Sequence, residues 1–340
     1  MNNLSKLTAL ILAAMMMLSL VACGGAAEES ADKPAEEPAN HTAAEEATAD
    51  TYTVGICQLG QHVALDDATQ GFIDALNEAL PGQVTFDNQN ASNEIPMCST
   101  IVNQFIAEEV DLIMANATPA LQAASAATSE IPILGTSVTE YGVALGIENF
   151  NGTLGGNVSG TSDLAPLDAQ AAMIREWFPD AKNIGLLYCS AEANSQYQVD
   201  VVKAELEKLG YTCEFYSFSD SNDLAAVAES AAAASDVIYV PTDNTVASNA
   251  ALIDNICRPA GIPVITGEEG ICAICGVATL SISYYDLGVA TGKMAAKILT
   301  GEADISTMPV GYAETVTPKY NADICASLNI TPLEGYEAIG

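Results

Sequence analysis

The chain has 340 residues, 49% of them hydrophobic, and a formal net charge of −34. So much negative charge repels the phosphates of nucleic acids, which excludes nucleic acid as a partner. Residues 51–340 carry 36 of the 44 acids and 8 of the 10 Lys and Arg residues. A segment of this length can bury one large hydrophobic core or two ordinary ones.

The first 22 residues have the pattern of a secretory signal peptide. Lys6 precedes an apolar run over residues 7–20, which is too short to span a membrane in the mature protein. The sequence LVACG at residues 20–24 resembles the bacterial lipobox, in which the signal is cleaved before a cysteine that carries a diacylglycerol. We therefore predict a signal peptide over residues 1–22 and lipid attachment at Cys23. An ordinary cleavage site that happens to contain a cysteine is the alternative.

Residues 23–50 are predicted to be a disordered acidic tether behind the lipidated cysteine. After Cys23 this segment is rich in Ala, Glu, Pro and Thr, with eight acids, one Lys and no aromatic residue. Such a composition cannot bury enough apolar surface to offset the entropy lost on ordering. We expect the tether to hold the folded body away from the membrane.

The segment from residue 51 to 134 alternates between strand-like and helix-like patterns. Strand character appears at residues 52–57, 83–87, 111–115 and 131–134, and helical spacing of apolar residues at 65–80 and 101–106. Thr118 and Pro119 open a further helix, with Thr as its cap and Pro in its first turn. This order predicts a parallel sheet that is covered by helices on both faces.

The same alternation restarts after the glycine-rich residues 152–160, which we interpret as a crossing point between two lobes. Helices are predicted at residues 167–177, 196–209, 224–234 and 245–257, and strands at 182–188, 213–218, 236–240 and 262–265. A strand at 278–283, a helix at 287–299 and a strand at 310–316 then break the rhythm. We expect these last segments to pass back and forth between the lobes.

Together these patterns predict an α/β fold of two doubly wound parallel-sheet lobes joined by three crossing strands. The predicted amino-terminal lobe contains residues 51–158 and 281–302. The predicted carboxy-terminal lobe contains residues 159–280 and 303–330. Crossings near residues 159–162 and 280–283 would let the lobes rotate and close on a ligand.

Ligands of open α/β sheets bind beyond the carboxyl ends of the strands, so the cleft between two such lobes is the expected site. Polar side chains follow several predicted strands, and others lie beside the predicted crossings. The predicted ligand-binding residues are Gln58, Thr118, Thr136, Ser137, Ser162, Thr242, Asp243, Asn244, Glu268, Tyr284 and Asp286. Hydroxyls, amides and carboxylates of this kind suit a small polar ligand, although the same residue types also cap helices.

Enzymatic chemistry is not predicted. His62 has no nucleophile elbow beside it, and the chain contains neither a Walker A motif nor a dinucleotide-binding glycine motif after a strand. We predict no cofactor and no metal site, because Cys272 and Cys275 have no second pair of metal-binding residues nearby. The eight cysteines after Cys23 leave disulfide formation open.

Residues 61–72 (QHVALDDATQGF) resemble the H-x-x-L-D-x-x-x-x-G-F signature of an ABC transporter substrate-binding family that includes tryptophan and other aromatic amino-acid binders. Further stretches resemble that family in the same order along the chain: residues 111–113, 117–119, 131–133, 160–163, 239–244 and 276–288. One departure is the sequence VTEY at residues 138–141, where the family often has Val-Thr-Asp-Pro. The resemblance implies a type I periplasmic-binding-protein fold on the extracytoplasmic face of the membrane.

The resemblance also implies an importer-coupled function, with a permease and ATPase complex as partners and a small molecule as ligand. We expect a monomer that binds an amino acid, with an aromatic side chain as the leading possibility. Asp243 would pair with the ammonium, Thr136, Ser137 and the amides before Thr118 would receive the carboxylate, and Tyr284 or Tyr285 would stack on the side chain. The alternatives are a sugar or nucleoside ligand, or a ligand-sensing lobe pair that signals to a membrane receptor.

Overall fold

The computed structural model describes residues 50–313 and 315–339, so the predicted signal peptide, Cys23 and nearly all of the predicted tether lie outside the described residues. The first segment runs in the order β1 (Tyr52–Gln58), α1 (Val63–Ala79), β2 (Val84–Asn90), α2 (Ile95–Ala107), β3 (Leu112–Asn116), α3 (Thr118–Ala127), β4 (Ile133–Val138), α4 (Tyr141–Leu145) and β5 (Val158–Ser162). These elements form most of the first lobe.

The second lobe begins at the next helix. Its elements are α5 (Leu167–Trp177), β6 (Asn183–Cys189), α6 (Ala193–Lys208), β7 (Thr212–Phe218), α7 (Leu224–Ala234), β8 (Val237–Val240), α8 (Asn244–Ala247), α9 (Ala250–Ala260), β9 (Val264–Thr266), α10 (Glu269–Cys275) and β10 (Ala278–Ser281). The chain then returns to the first lobe for α11 (Tyr284–Leu299), a 3₁₀ turn (Ile305–Thr307) and β11 (Gly311–Tyr312). It ends in the second lobe with β12 (Thr317–Tyr320), α12 (Ala322–Ser327) and β13 (Glu337–Ala338).

Five neighbouring parallel strands in each sheet have the same doubly wound order. Within the described residues the first sheet is ordered β11-β5-β4-β3-β1-β2, and its strand pairs are parallel. The second sheet is ordered β13-β12-β10-β9-β8-β6-β7, and β12 runs antiparallel to β10. The strand order reverses between β1 and β3 in one lobe and between β6 and β8 in the other. These are the points at which open α/β sheets place their ligands.

Each sheet is buried on both faces, which explains its nearly continuous apolar strands. In the first lobe, α2 and α3 cover one face and α1 and α11 cover the other. In the second lobe, α5 and α6 cover one face and α7, α9 and α10 the other. The predicted class of two α/β lobes is therefore confirmed.

Helices α1 and α11 approach each other closely because their contact face contains glycines. A Cβ atom on Gly288 would lie 2.0 Å from the backbone oxygen of Ala68, and one on Gly71 would lie 2.1 Å from that of Tyr285. Glycine is therefore required for this packing distance. Helix α11 follows the second lobe in the chain, so this contact joins distant parts of the sequence.

The predicted lobe boundaries need three corrections. Residues 159–162 belong to the first lobe, because β5 pairs with β4, and the crossing follows at residues 163–166. Residues 303–312 also belong there, because β11 pairs with β5. The second lobe extends beyond residue 330, since Leu333 and Tyr336 pack against its core.

The strand predicted at residues 310–316 is reduced to β11, and the next strand, β12, begins after it in the other sheet. Gly311 and Tyr312 pair with β5, whereas β12 starts at Thr317 and pairs with β10. Between them the chain makes its third crossing, and Ala313 and Val316 pack against a buried cluster at the lobe junction. Glu314 and Thr315 interrupt the apolar residues of the predicted strand and are the signal in the sequence for its early end.

Candidate ligand-binding cleft

A small cavity lies between the lobes at the carboxyl ends of their strands. Its lining residues come from both lobes and from the crossings: His62, Ala64, Leu65, Ser137, Thr139, Asp163, Asn194, Thr242, Asp243, Asn244, Ala247, Glu268 and Tyr284. The cavity has a volume of about 10 Å³, which is room for roughly one water molecule. A larger ligand therefore requires the lobes to separate or the side chains to move.

Ser137 reaches the cavity because β4 is irregular at its end. The pairing register between β4 and β5 shifts between Gly135 and Val138, and Ser137 has a φ of 54°. Left-handed backbone is uncommon for serine, and such strained residues concentrate at binding sites. The Ser137 hydroxyl is buried and has no hydrogen-bond partner among the described residues, so it is free to bind a ligand.

Asp163 follows β5 directly, at the first crossing, and is 3% exposed. Its Oδ2 accepts a hydrogen bond of 2.9 Å from the Tyr284 hydroxyl, while its Oδ1 has no hydrogen-bond partner within the described residues. Burial raises the pKa of this carboxyl, and the nearby hydroxyls of Tyr284 and Thr139 oppose that rise. A buried acceptor that lacks a donor is costly, so Asp163 is suited to a ligand that brings N–H groups.

Asp243 lines the cavity, but backbone amides already occupy both of its oxygens. Oδ1 accepts from Val246 N at 2.9 Å and caps α8, and Oδ2 accepts from Cys189 N at 2.7 Å. Burial, with a smaller contribution from the nearby Glu192 carboxylate, raises the pKa of Asp243 to about 7. Asp243 therefore fixes α8 against the end of β6.

Glu268 likewise caps the amino terminus of α10. Its carboxylate accepts from Gly270 N at 2.6 Å and from Ile271 N, which caps the helix. Burial raises the pKa of Glu268 to about 7. Asp243 and Glu268 thus line the cavity, but their carboxylates are already hydrogen-bonded as helix caps. Asp163 is the lining carboxyl that has an oxygen without a hydrogen-bond partner among the described residues.

On the side of the cavity that the second lobe forms, side-chain amides take part in a hydrogen-bond network. Asn194 Nδ2 donates to the backbone oxygen of Thr242 at 3.1 Å, and its Oδ1 has no partner among the described residues. Glu192 accepts from Asn244 Nδ2 at 2.6 Å and from the Thr245 hydroxyl at 2.8 Å. The lining residues include no Lys or Arg among those the structure describes, so a ligand carboxylate would have to bind neutral donors.

The structure brings six of the predicted binding residues into the cavity: Ser137, Thr242, Asp243, Asn244, Glu268 and Tyr284. Gln58 instead turns into the first lobe, where it bonds to Gly60, Asp66 and Thr69. Thr136 forms a hydrogen bond with the Thr161 hydroxyl inside the first lobe. The Ser162 hydroxyl donates to the backbone oxygen of Thr139, also in the first lobe.

Three further predicted contacts also lie elsewhere. Thr118 is buried at the start of α3 and does not line the cavity. Asp286 is exposed in the first turn of α11, and Tyr285 is 41% exposed and bonds to Asp74. The aromatic contact expected from Tyr284 or Tyr285 is therefore available from Tyr284, which lines the cavity, whereas Tyr285 does not.

Sequence reasoning missed His62, Thr139, Asp163 and Asn194 as lining residues. His62 and Asp163 lie in stretches that resemble the substrate-binding family, so a signal for them was present. Asn194 sits in the first turn of α6 and had no distinguishing pattern. In the part of the chain that the structure describes, no group of three or more His, Cys, Asp or Glu is arranged to hold a metal ion, and the eight cysteines are buried and unpaired.

The family model described as ABC transporter substrate binding protein matches residues 53–335. A tyrosine-binding protein of Clostridioides difficile (strain R20291) is 34% identical over 283 residues, which covers 82% of this chain and 81% of the relative. The ABC domain from Streptococcus pneumonia, solved in complex with L-Trp, is 32% identical with a TM-score of 0.81, over 85% of this chain and all of that one. A ligand-free, open structure of a substrate-binding protein with adhesive properties from Clostridium difficile is 36% identical with a TM-score of 0.65, over 85% of this chain and 99% of that one.

Proposed function

Because the chain belongs to the family of ABC transporter substrate-binding proteins, we propose that it binds a free amino acid, with an aromatic side chain as the leading candidate, between its two lobes. Proteins of this family are extracytoplasmic, are not enzymes, and present a small molecule to a permease and ATPase complex. The two lobes have the type I periplasmic-binding-protein architecture. Among the described residues no helix is long and apolar enough to cross a membrane.

The open oxygen of Asp163 is the observation that carries the amino-acid proposal. An ammonium group offers three N–H donors and a positive charge, which together match a buried carboxylate with one vacant acceptor. Asn194 Oδ1 is a second buried acceptor in the same cavity. The proposal therefore assigns the ammonium to Asp163, in place of the capped Asp243.

The remaining lining suits the other parts of an amino acid. The unpartnered Ser137 hydroxyl is a donor for the carboxylate. Ala64, Leu65 and the Tyr284 ring supply apolar surface for a side chain. Relatives at 34% and 32% identity that are named for tyrosine binding or solved with L-Trp support the aromatic assignment.

A screen for thermal stabilisation of the purified protein tests the ligand class. Each of the twenty amino acids is compared with sugars and nucleosides, because a ligand that binds the folded state raises the melting temperature. We expect tyrosine, tryptophan or phenylalanine to give the largest increase. Stabilisation by a sugar or nucleoside without any response to amino acids would contradict the proposal.

Calorimetry on Asp163→Asn then tests the ammonium site. We expect a loss of about 2 kcal/mol or more in binding free energy, since the variant leaves the ammonium without its charged partner. Asp168→Asn is the matched control, because Asp168 makes the same chemical change on the exposed face of α5. Equal affinities of the two variants would remove Asp163 from the site.

We also propose that Cys23 carries the lipid that attaches a monomeric protein to the membrane, behind a flexible acidic tether. The Cys23→Ala variant should be found in the soluble fraction or as an uncleaved precursor, because it lacks the thiol that receives the acyl anchor. Fractionation and mass spectrometry of the mature amino terminus measure both outcomes. Normal maturation with retained membrane attachment would exclude the lipobox assignment.

A further inference from the structure

Two direct side-chain hydrogen bonds join the lobes at the rim of the cleft. His62 Nε2 lies 3.2 Å from Asn244 Oδ1, and Asn93 Nδ2 donates to Ser248 Oγ at 2.6 Å. The partners are 182 and 155 residues apart in sequence, and each pair has one member in each lobe. Neither bond can form unless the lobes are closed.

The second lobe holds its part of this contact in a fixed orientation. The buried Glu192 carboxylate accepts from the Asn244 amide nitrogen at 2.6 Å, and from Thr245 N at 2.9 Å. The Asn244 amide nitrogen is therefore directed at Glu192, and its oxygen is left to accept a hydrogen bond from His62 Nε2. Turning the amide over would place two oxygens together, so the donor and acceptor roles are determined.

The first lobe also holds its part rigidly. Ser92 and Asn93 have φ values of 55° and 62°, which turn the chain sharply after β2. Gly60 leaves the space that the Asn93 amide occupies, since a Cβ atom there would lie 1.8 Å from Asn93 Oδ1. Side chains that are fixed before contact lose less entropy when they form a hydrogen bond.

We propose that His62–Asn244 and Asn93–Ser248 form a latch between the lobes, and that this latch sets how slowly the closed protein releases its ligand. The bonds exist in the closed arrangement and are absent from an open one. They therefore lower the free energy of the closed state without assisting the encounter of a ligand with the open cleft. Breaking the latch should raise the dissociation rate constant and leave the association rate constant unchanged.

Asn93 and Ser248 provide the cleaner test, because neither lines the cavity. Asn93→Ala, Ser248→Ala and the double variant are compared by stopped-flow kinetics with L-tyrosine as the probe. Each change should accelerate dissociation about 3- to 10-fold, which corresponds to the loss of one hydrogen bond. The double variant should be no faster than the faster single variant, since both changes remove the same bond.

Asn103→Ala is the matched control, because it truncates an exposed asparagine on α2 of the same lobe. Dissociation rates within twofold of this control, or slower association in place of faster dissociation, would overturn the latch. The experiment rests on the proposed amino-acid ligand, so binding of L-tyrosine by the unmodified protein is measured first. Absence of that binding would count against the proposed function, whereas binding by the unmodified protein with equal dissociation rates of Asn93→Ala and Asn103→Ala would count against the latch.

Discussion

Several carboxyl groups are buried around the cleft, and they differ in the hydrogen-bond donors that contact them. Asp243 and Glu268 are saturated by backbone amides at helix starts, and Glu192 by side chains and amides of the α8 turn. Asp163 keeps one oxygen without a partner in the described residues. The chemical type of a residue was thus insufficient to identify the ligand-binding acid, because the deciding factor is the number of donors that surround each carboxyl.

Asp243 also makes the stability of the protein depend on pH. Its pKa is about 7 in the folded protein, against an ordinary value of about 4 for an aspartate. Between these two values the folded state binds more protons than the unfolded state, so this group's contribution to stability is lost as the pH rises toward 7. Above about pH 8 its contribution no longer changes.

Asp243→Asn removes this titration, and the melting temperature should then fall less between about pH 5 and about pH 8 than in the unmodified protein. Differential scanning calorimetry at several pH values measures the difference, with the exposed Asp168→Asn as the control. An unchanged pH dependence in Asp243→Asn would show that another group is responsible. The comparison is between slopes, so a uniform loss of stability from a weakened cap does not affect it.

At the scale of single residues, sequence reasoning identified the strand ends that meet at the cleft but not the roles of their side chains. Asp243 follows β8 and was expected to bind the ammonium. Its second oxygen is occupied by the amide of Cys189, at the end of a strand 54 residues earlier. A contact at that distance depends on the sheet order, which the local pattern does not contain.

At the scale of elements, the regular helices and strands were predicted well because each has one consistent pattern. Helices α5 and α7 were predicted with the bounds that the structure gives them, at residues 167–177 and 224–234. The helix predicted over residues 245–257 is divided into α8 and α9, and Ser248 lies between the two helices at the rim of the cleft. No proline or glycine in the sequence signals that division. Its consequence is that Ser248 can accept the inter-lobe hydrogen bond from Asn93.

The glycine contact between α1 and α11 gives a second prediction. Gly288→Ala would place a methyl group 2.0 Å from the backbone oxygen of Ala68, so the helices must separate. We expect a destabilisation of about 1–3 kcal/mol from overpacking, despite the better helix propensity of alanine. Thermal or denaturant unfolding measures it.

Ala290→Ser serves as the control for this change, since Ala290 is exposed on the same helix. A Gly288→Ala variant that is as stable as Ala290→Ser would mean that α11 can move without cost. Because α11 starts at the second crossing, such freedom would also mean that the crossing is loosely held.

At the scale of the whole molecule, we expect ligand capture to involve opening and closing of the lobes. The cavity has room for about one water molecule, so an amino acid cannot enter the arrangement described here without movement. The similarity to solved relatives agrees with this view: the TM-score is 0.81 to the complex with L-Trp and 0.65 to the ligand-free, open structure, although the latter has the higher sequence identity.

We predict that the free protein in solution is more extended than the complex. Small-angle scattering should show a decrease in the radius of gyration when L-tyrosine, or the best ligand from the thermal screen, is added. Rotation should occur at residues 163–166 and 282–283 and at residues 313, 315 and 316, where the chain passes between the lobes. An unchanged radius of gyration and distance distribution at saturating ligand would contradict closure.

The late return of the chain to the first lobe has a consequence for how the protein folds. Helix α11 covers one face of the first sheet and β11 forms its edge, yet both are synthesised after residues 163–281 of the second lobe. The first lobe therefore waits for a loop of more than a hundred residues to close, which is slow because long-range contacts carry a large entropic cost. Until then the apolar face of the sheet that includes Leu134 is covered by α1 without α11. This surface must be kept from aggregating during the interval, so the order of elements along the chain makes the amino-terminal half the vulnerable part of a newly made molecule.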